Sequence, residues 1–419
     1  MDNKDLNTNI ANQLDALAVS LNNTAKSVRE GSLSLTSGPE SQLERGKVIK
    51  AARGVIDAIK QPADEFIEWL TVLGPMTALR LFLKWKVFEN IPTADNTNIS
   101  YQELADKVGG DVQLIIRLAW VLVSAGLLKQ VGTDRVAHTP KSVAYATAAP
   151  NPVKALACIT YDEFMPAFSA MPKFFTETGL KEPTGRLNTA YAYGQGQPGA
   201  TVWEIMGQDK ERMGNFMMAM GDLTQNWPFL GTYDLSWAVS HVDDKDEDGG
   251  QRALLVDVGG SRGHAIKAII EATPGLPASR CVLEDLPEVV DAVKKSADPD
   301  LGEVRLVGMD FHAEQPVKGA LVYFVRRCLH DYGDDACVEI LKRLTDAMAP
   351  DSRLLIVEQV MSNPPSVFAA GTDLVMLSIG GKERTLDNFR DITGRAGLQI
   401  LQVAQNPGAD GALIECAKN

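Results

Sequence analysis

Hydrophobic positions change their period along the chain, and the changes divide it into segments. Leu6, Ile10, Leu14, Leu17 and Leu21 recur at helical spacing in a polar sequence, an apolar stripe that an isolated helix cannot hide. The Ser/Gly-rich "SVREGSLSLTSGPESQLERG" then reads as a loop, and "KVIKAARGVIDAIKQPADEFIEWLTVL" resumes helical periodicity up to Leu73. From Thr77 to Pro140 the pattern predicts a helix in "TALRLFLKWKVFENI", a capped helix in "SYQELADKVGG", an apolar helix in "DVQLIIRLAWVLVSAGLL" and a hairpin in "KQVGTDRVAHTP". That order is the layout of a winged helix. Helical segments continue through "ATVWEIMGQDKERMGNFMMAMGDLTQNW" until "HVDDKDEDGG", an acidic run with paired glycines that marks an exposed loop before a new domain.

Beyond Arg252 the runs "ALLVDV", "RCVLEDL", "VRLVGMDF", "ALVYFV" and "RLLIVEQV" alternate with the helical "GHAIKAIIEAT", "PEVVDAVKKSA" and "DACVEILKRLTDAMA". Such alternation predicts an α/β fold: a parallel sheet covered on both faces, with ligands at the carboxyl ends of its strands. The terminal "LQILQVAQNPGADGALIECAKN" predicts a closing antiparallel hairpin. Three regions are therefore expected: an N-terminal helical and winged-helix domain over 1–165, connecting helices over 166–235, and a ligand-binding domain over 236–419.

Charge narrows the partners. A net charge of -13 and a pI near 5.0 oppose binding to nucleic acid or an anionic membrane, which needs a basic face. The apolar helix of the winged-helix segment carries a single arginine, Arg117, so it reads as a packing or dimerisation element rather than a DNA reader. The five cysteines form no CxxC pair, which suggests neither a zinc site nor a disulfide framework, and no His/Asp cluster suggests another metal. The N-terminus has no signal-peptide pattern, and the sequence reading finds no run of the ~20 apolar residues that span a membrane. A soluble cytoplasmic protein is expected.

The turn "LLVDVGGSRGHA" sets Asp257, Gly259, Gly260 and Gly263 between a strand and a helix, where glycines permit tight turning and close backbone approach to a ligand. A dinucleotide fingerprint fails, because Val258 stands where its first glycine belongs. Asp285 ends the next strand and Asp310 the one after. Three carboxylates on successive strand tips suit a ligand with a ribose, an adenine amine and a cationic end, a description that S-adenosyl-L-methionine meets.

The motifs "DVGGSRGH", "LEDLPEVV", "GMDF", "YFVRRCLHDY", "LLIVEQV" and "GGKERTLDNF" occur in that order. With the N-terminal winged helix, they make most of the chain resemble the plant-type and fungal small-molecule O-methyltransferases, a class I S-adenosylmethionine-dependent family related to caffeic acid O-methyltransferases. The resemblance implies a Rossmann-like methyltransferase sheet, S-adenosyl-L-methionine as cofactor and a homodimer. It further implies that Asp257, Gly259 and Gly260 shape the methionine pocket, that Asp285 holds the ribose, that Asp310 and Phe311 flank the adenine, and that Arg326 takes a basic cofactor-contacting position. Phe311 stands where plant members usually have Met, and Ser261 replaces the middle glycine of the plant pattern.

His330 closes the strand-like "YFVRRCLH". A phenol titrates near pH 10, so its oxygen is a weak nucleophile at neutral pH unless a positioned imidazole removes the proton. An imidazole near its ordinary value of about 6.5 is largely neutral at pH 7, and a carboxylate on its other nitrogen would fix the tautomer. By resemblance Glu358 and Glu383 flank this histidine. The adjacent Asp331 is expected to diverge from His330 and to cap the following helix. For the acceptor, Trp203, Phe216, Met217 and Met220 offer an apolar, mouldable set; Phe216 and Met220 match acceptor-lining positions of the family, and His138 from the wing is a further pocket candidate. The expected reaction is methyl transfer to a hydroxyl of an aromatic or polyketide-type small molecule. The alternatives are cyclisation or a pericyclic reaction on the same fold, N-methylation, and a winged-helix DNA-binding regulator.

Overall fold

The computed structural model describes residues 3–33, 39–183, 185–225, 229–245, 251–405 and 410–419. Residues 246–250 of the acidic loop and 406–409 of the C-terminal turn lie outside them. The chain divides into two compact units, Met1–Ala146 and Thr147–Asn419.

In the first unit, α1 (Asn3–Arg29) and α2 (Pro39–Ile59) precede α3 (Pro62–Lys84). The periodicity that reads as one stretch up to Leu73 is broken before Pro62, which lacks an amide hydrogen and so opens a new helix at a position that needs none. α3 then runs on through Pro75, where the sequence reading begins a separate helix. This corrects the membrane expectation too, since α3, at 23 residues, is long and apolar enough by length and composition to cross one. Its early acids hide this: from Phe66 to Leu83 only Glu68 and Arg80 are charged. Phe66, Ile67, Trp69, Leu70, Val72 and Leu73 are all exposed.

α4 (Tyr101–Val108) begins with a reciprocal cap: Ser100 Oγ accepts the Glu103 N–H at 3.2 Å, and the Glu103 carboxylate accepts the Ser100 N–H at 3.0 Å. Asp111 caps α5 (Val112–Ser124), accepting the Leu114 N–H at 2.9 Å. β1 (Ile99–Ser100), β2 (Leu128–Val131) and β3 (Arg135–His138) form an antiparallel sheet of order β1-β3-β2. Phe82, Phe88, Leu104, Ile115, Leu122 and Val136 fill the core between these elements.

The second unit opens with helices α6 (Pro152–Ile159), α7 (Met165–Thr178), α8 (Ala190–Gly194), α9 (Val202–Gly207) and α10 (Lys210–Gln225). Its sheet contains β4 (Leu255–Val258), β5 (Cys281–Asp285), β6 (Arg305–Gly308), β7 (Val322–Arg326), β8 (Arg353–Met361), β9 (Arg384–Thr385), β10 (Leu398–Gln405) and β11 (Gly411–Lys418). Among the described residues the order is β10-β11-β8-β7-β4-β5-β6, with β9 paired to β8. β4 to β8 run parallel, and β11 runs antiparallel to both β8 and β10. The chain steps outward from β4 through β5 to β6 and returns to β4's other side as β7, so β4 and β7 border a topological switch point where a ligand crevice opens.

Helices α11 (His264–Ala272), α12 (Pro287–Ser296), α13 (Asp334–Ala347), α14 (Val367–Ile379) and α15 (Leu386–Arg395) complete the unit. Alternate strand residues feed two cores, Val256, Tyr323, Val325 and Ile356 into one and Leu283, Phe324, Leu355 and Val357 into the other. Both faces are therefore covered, which is why these strands read as unbroken apolar runs. Two strand ends differ from the sequence reading. β7 stops at Arg326, short of His330, and β6 stops at Gly308, short of Asp310.

Candidate active site

The turn after β4 is pinned to the neighbouring strand. Gly259 and Gly260 donate their N–H groups to the Glu284 carbonyl at 2.9 and 3.0 Å, and Ser261 donates to Asp285 Oδ2 at 2.7 Å. Gly259 has φ 72°, and a Cβ there would lie 2.8 Å from Cys328 Sγ; one on Gly260 would lie 2.6 Å from Asp257 Oδ2. Ser261 adopts φ 51°, a left-handed conformation that costs a residue bearing a Cβ. The second carboxylate oxygen of Asp285 accepts the Leu286 N–H at 2.8 Å, and Asp310 Oδ1 accepts the His312 N–H at 2.9 Å. The Phe311 ring lies 3.5 Å from the Cβ position of Gly259, so Phe311 borders the same turn.

Asp257 is almost wholly buried, and its Oδ2 has no hydrogen-bond partner among the described residues. Burial, with the Asp285 charge next, pushes its carboxyl up to about 7, while Arg326 opposes the rise. Burial holds Arg326 down at about 10, with its guanidinium 4.6 Å over the Phe229 ring. An orphaned acidic oxygen beside a glycine cradle fits a ligand that presents a cationic donor, and it disfavours pyrophosphate.

At the other end of the cleft the chain leaves β7 through Arg327, at φ 51°, and forms the 3₁₀ turn Leu329–Asp331. Glu358 Oε1 accepts the Cys328 and Leu329 N–H groups, each at 2.9 Å, and so ties this turn to β8. His330 is 7% exposed, and its Nδ1 lies 2.9 Å from Glu383 Oε1. The Glu383 N–H is held in turn by Asp373 Oδ1 at 2.9 Å. Glu358 Oε2 and Glu383 Oε2 are buried without hydrogen-bond partners among the described residues.

Asp331 does not cap α13, whose N-cap is Gly333; its carboxylate lies 3.6 Å from His330 Nε2. Burial alone would lower the imidazole, but the charges of Glu358 and Asp331 and the bond to Glu383 outweigh it and raise His330 to about 9. This direction is opposite to that of a histidine shifted by burial alone, and it follows from the carboxylates packed around the ring. Burial raises the carboxyls of Glu358 and Asp331 as well.

Two residues that the sequence reading did not single out hold this turn. Arg384 is 1% exposed and donates to the Leu329 carbonyl at 3.0 Å and the Tyr332 carbonyl at 2.8 Å while pairing with Asp334 at 2.8 Å. Gly381 packs so tightly on the turn that a Cβ would collide with the His330 carbonyl. Both lie in or beside "GGKERT", the segment that also supplies Glu383.

Among the acceptor candidates, Trp203 and Phe216 meet edge to face at 5.3 Å. Phe216 packs in a cluster with Tyr191, Ile205 and Ile379, the last residue of α14 before the Gly380-Gly381 turn, and Met220 joins a neighbouring cluster with Ile159. His138 belongs to the first unit, where Nδ1 meets Ser142 Oγ at 2.8 Å and Nε2 meets the Phe88 carbonyl at 3.1 Å.

Comparison with known proteins agrees with this geometry. The O-methyltransferase domain family matches residues 180–399. Methyltransferase cfoD of Aspergillus candidus is 34% identical over 393 residues, covering 93% of this chain and 96% of that protein. The crystal structure of OxaC in complex with SAH and oxaline superposes with a TM-score of 0.82 at 24% identity, covering 99% of this chain and all of that one. A structure described as a pericyclic reaction enzyme superposes with a TM-score of 0.76 at 23% identity, covering 95% of this chain. These two share the fold. With its glycine cradle, its orphaned acid and its carboxylate-held histidine, the chain belongs to the O-methyltransferase domain family and is an S-adenosyl-L-methionine-dependent O-methyltransferase.

Proposed function

We propose that His330 is the general base that takes the proton of an acceptor hydroxyl, on an aromatic or polyketide-type small molecule, during methyl transfer. The observation that carries this is the division of labour between the two ring nitrogens. Glu383 engages Nδ1 at 2.9 Å, while Nε2, 3.6 Å from the Asp331 carboxylate and so beyond hydrogen-bond distance, is the nitrogen assigned to the acceptor. The Nδ1–H···Oε1 bond fixes the tautomer and stabilises the imidazolium formed as the proton arrives. Glu358 keeps the turn seated on β8 and adds its charge to that stabilisation.

S-adenosyl-L-methionine, when bound, supplies an electrophilic methyl group. Asp257, Gly259 and Gly260 would hold its amino-acid end, Asp285 its ribose, Asp310 and Phe311 its adenine, and Arg326 would back the pocket. For Asp257 the support is its orphaned buried oxygen; for Gly259 and Gly260 it is a turn too closely packed on Cys328 and Asp257 to admit a Cβ. Trp203, Phe216 and Met220 form the acceptor wall, supported by the packing of Phe216 and of Ile379, on the element leading to Glu383, against one buried cluster. Both ring nitrogens of His138 have partners inside its own unit, and no acceptor role is assigned to it.

The first unit is read as a winged-helix dimerisation module, on the order of its elements and the exposed apolar row of α3. Phe66→Glu with Trp69→Glu should turn a dimer into a monomer in sedimentation. The free thiols favour a cytoplasmic location.

A second reading is a cyclisation or pericyclic reaction, favoured by the likeness to the pericyclic reaction enzyme. Incubation with labelled S-adenosyl-L-methionine and a library of aromatic hydroxyl compounds separates the two. A labelled product one methylene unit heavier, lost in His330→Ala, supports the proposal. An unlabelled isomer of the substrate supports the second reading, and undiminished labelling by His330→Ala refutes the base assignment.

A further inference from the structure

Three carboxylates act on one buried imidazole. Glu383 lies at Nδ1 at 2.9 Å, Asp331 stands 3.6 Å from Nε2, and Glu358 acts from β8. Most nearby cations have other engagements. The Arg384 guanidinium bonds Asp334 and backbone carbonyls, and Lys382 Nζ pairs with Asp334 at 3.0 Å and Glu182 at 3.2 Å. Arg327 acts on Asp331 and Glu358 through its charge, and Arg326 interacts with the charges of both Asp257 and Glu358. Negative charge therefore exceeds positive around the ring, and a proton on Nε2 is the nearest compensation.

We infer that Asp331 is a positioning residue for methyl transfer: together with Glu358 and Glu383 it keeps His330 as the imidazolium in the cofactor-free protein, and the sulfonium charge of bound S-adenosyl-L-methionine displaces the Nε2 proton to solvent. This rests on the reading of His330 as the base. The step is a simple dissociation in which the electron pair stays on Nε2 and the proton leaves. An imidazolium cannot accept the acceptor's proton, so the base becomes competent only when the methyl donor is in place. Asp331 thus has a reason to face Nε2, the side from which the acceptor's proton must come.

Proton linkage measured by calorimetry tests this without turnover. The cofactor and SAH, its demethylated product, are each titrated into the full-length protein at about pH 8, in buffers of different ionisation enthalpy. The two ligands differ only in the methyl group and its sulfonium charge, so protons that both release equally cancel in the difference. S-adenosyl-L-methionine should release several tenths of a proton more than SAH. The excess should vanish in His330→Gln and shrink in Asp331→Asn, and the acidic limb of the Asp331→Asn kcat profile should lie at lower pH than in the wild type. SAH affinity in each variant reports that the pocket is folded. Equal release for the two ligands by the wild-type protein would overturn the inference, as would an excess that persists in His330→Gln. If the excess vanishes in His330→Gln but turnover survives, the base reading fails while the proton linkage stands.

Discussion

The two ends of the cleft are built by different means. The proposed cofactor end is a backbone object: a glycine turn pinned by the Glu284 carbonyl and by Asp285, in which Cys328 and Asp257 already occupy the room that a Cβ on either glycine would need. The base end is a side-chain object, assembled from β8, a 3₁₀ turn and the segment before β9, with buried charges that hold one another in place. Backbone sites tolerate changes of charge and fail when a Cβ is added; side-chain sites do the reverse. Substitutions at the two ends should therefore separate cofactor affinity from the rate of transfer.

Glu383→Gln should break the base end most sharply. With the tautomer no longer fixed, turnover should fall by about 10²-fold or more, by analogy with carboxylate-oriented histidines, and SAH affinity by calorimetry should stay within about twofold. At the opposite end Gly259→Ala meets both a positive φ and the Cys328 thiol. A strain of about 1–3 kcal/mol should weaken SAH binding by roughly 5- to 150-fold. The effect should appear chiefly in KM for the cofactor.

Glu284 on β5, whose carbonyl pins the glycine turn, is fully buried, with Oε2 accepting from Gln315 at 2.8 Å and Oε1 unpartnered among the described residues. Burial, against the opposing Gln315 bond, raises its carboxyl to about 7. A raised acid costs stability as pH climbs from its unfolded value through its folded one, and the cost persists above that. Glu284→Gln should thus raise stability by on the order of 1 kcal/mol at about pH 8 and change little at about pH 5, as read from thermal melts. The smallest effect is expected for Ser261→Gly, which removes a left-handed Cβ but loosens the unfolded chain. SAH affinity should rise by at most about threefold.

The same contrast explains what was legible in the sequence. Asp257, the glycines and Asp285 lie in two short motifs at strand ends, so order along the chain places them together. His330 and Glu383 are 53 residues apart, and only the family resemblance joined them before the fold did. Asp331 was misread because neighbours diverge in an extended strand, whereas it occupies a 3₁₀ turn, where successive side chains rotate by only about 120°. Arg384 and Gly381 carried no signal beyond membership of "GGKERT", since burial of an arginine and close approach of a backbone are tertiary facts. In the first unit, the continuation of α3 through Pro75 was hidden for a related reason. A proline inside an apolar helix reads locally as a stop, whereas α3 runs on through it.

The most direct test of the account joins two measurements on one preparation of His330→Gln: SAH affinity by calorimetry, and the rate of a single turnover with S-adenosyl-L-methionine and a hydroxyl acceptor that the wild-type protein methylates. Affinity within about twofold of wild type, together with a rate reduced by about 10²- to 10⁴-fold, is the predicted result. A single-turnover rate that stays near the wild-type value while the cofactor pocket still binds would contradict it.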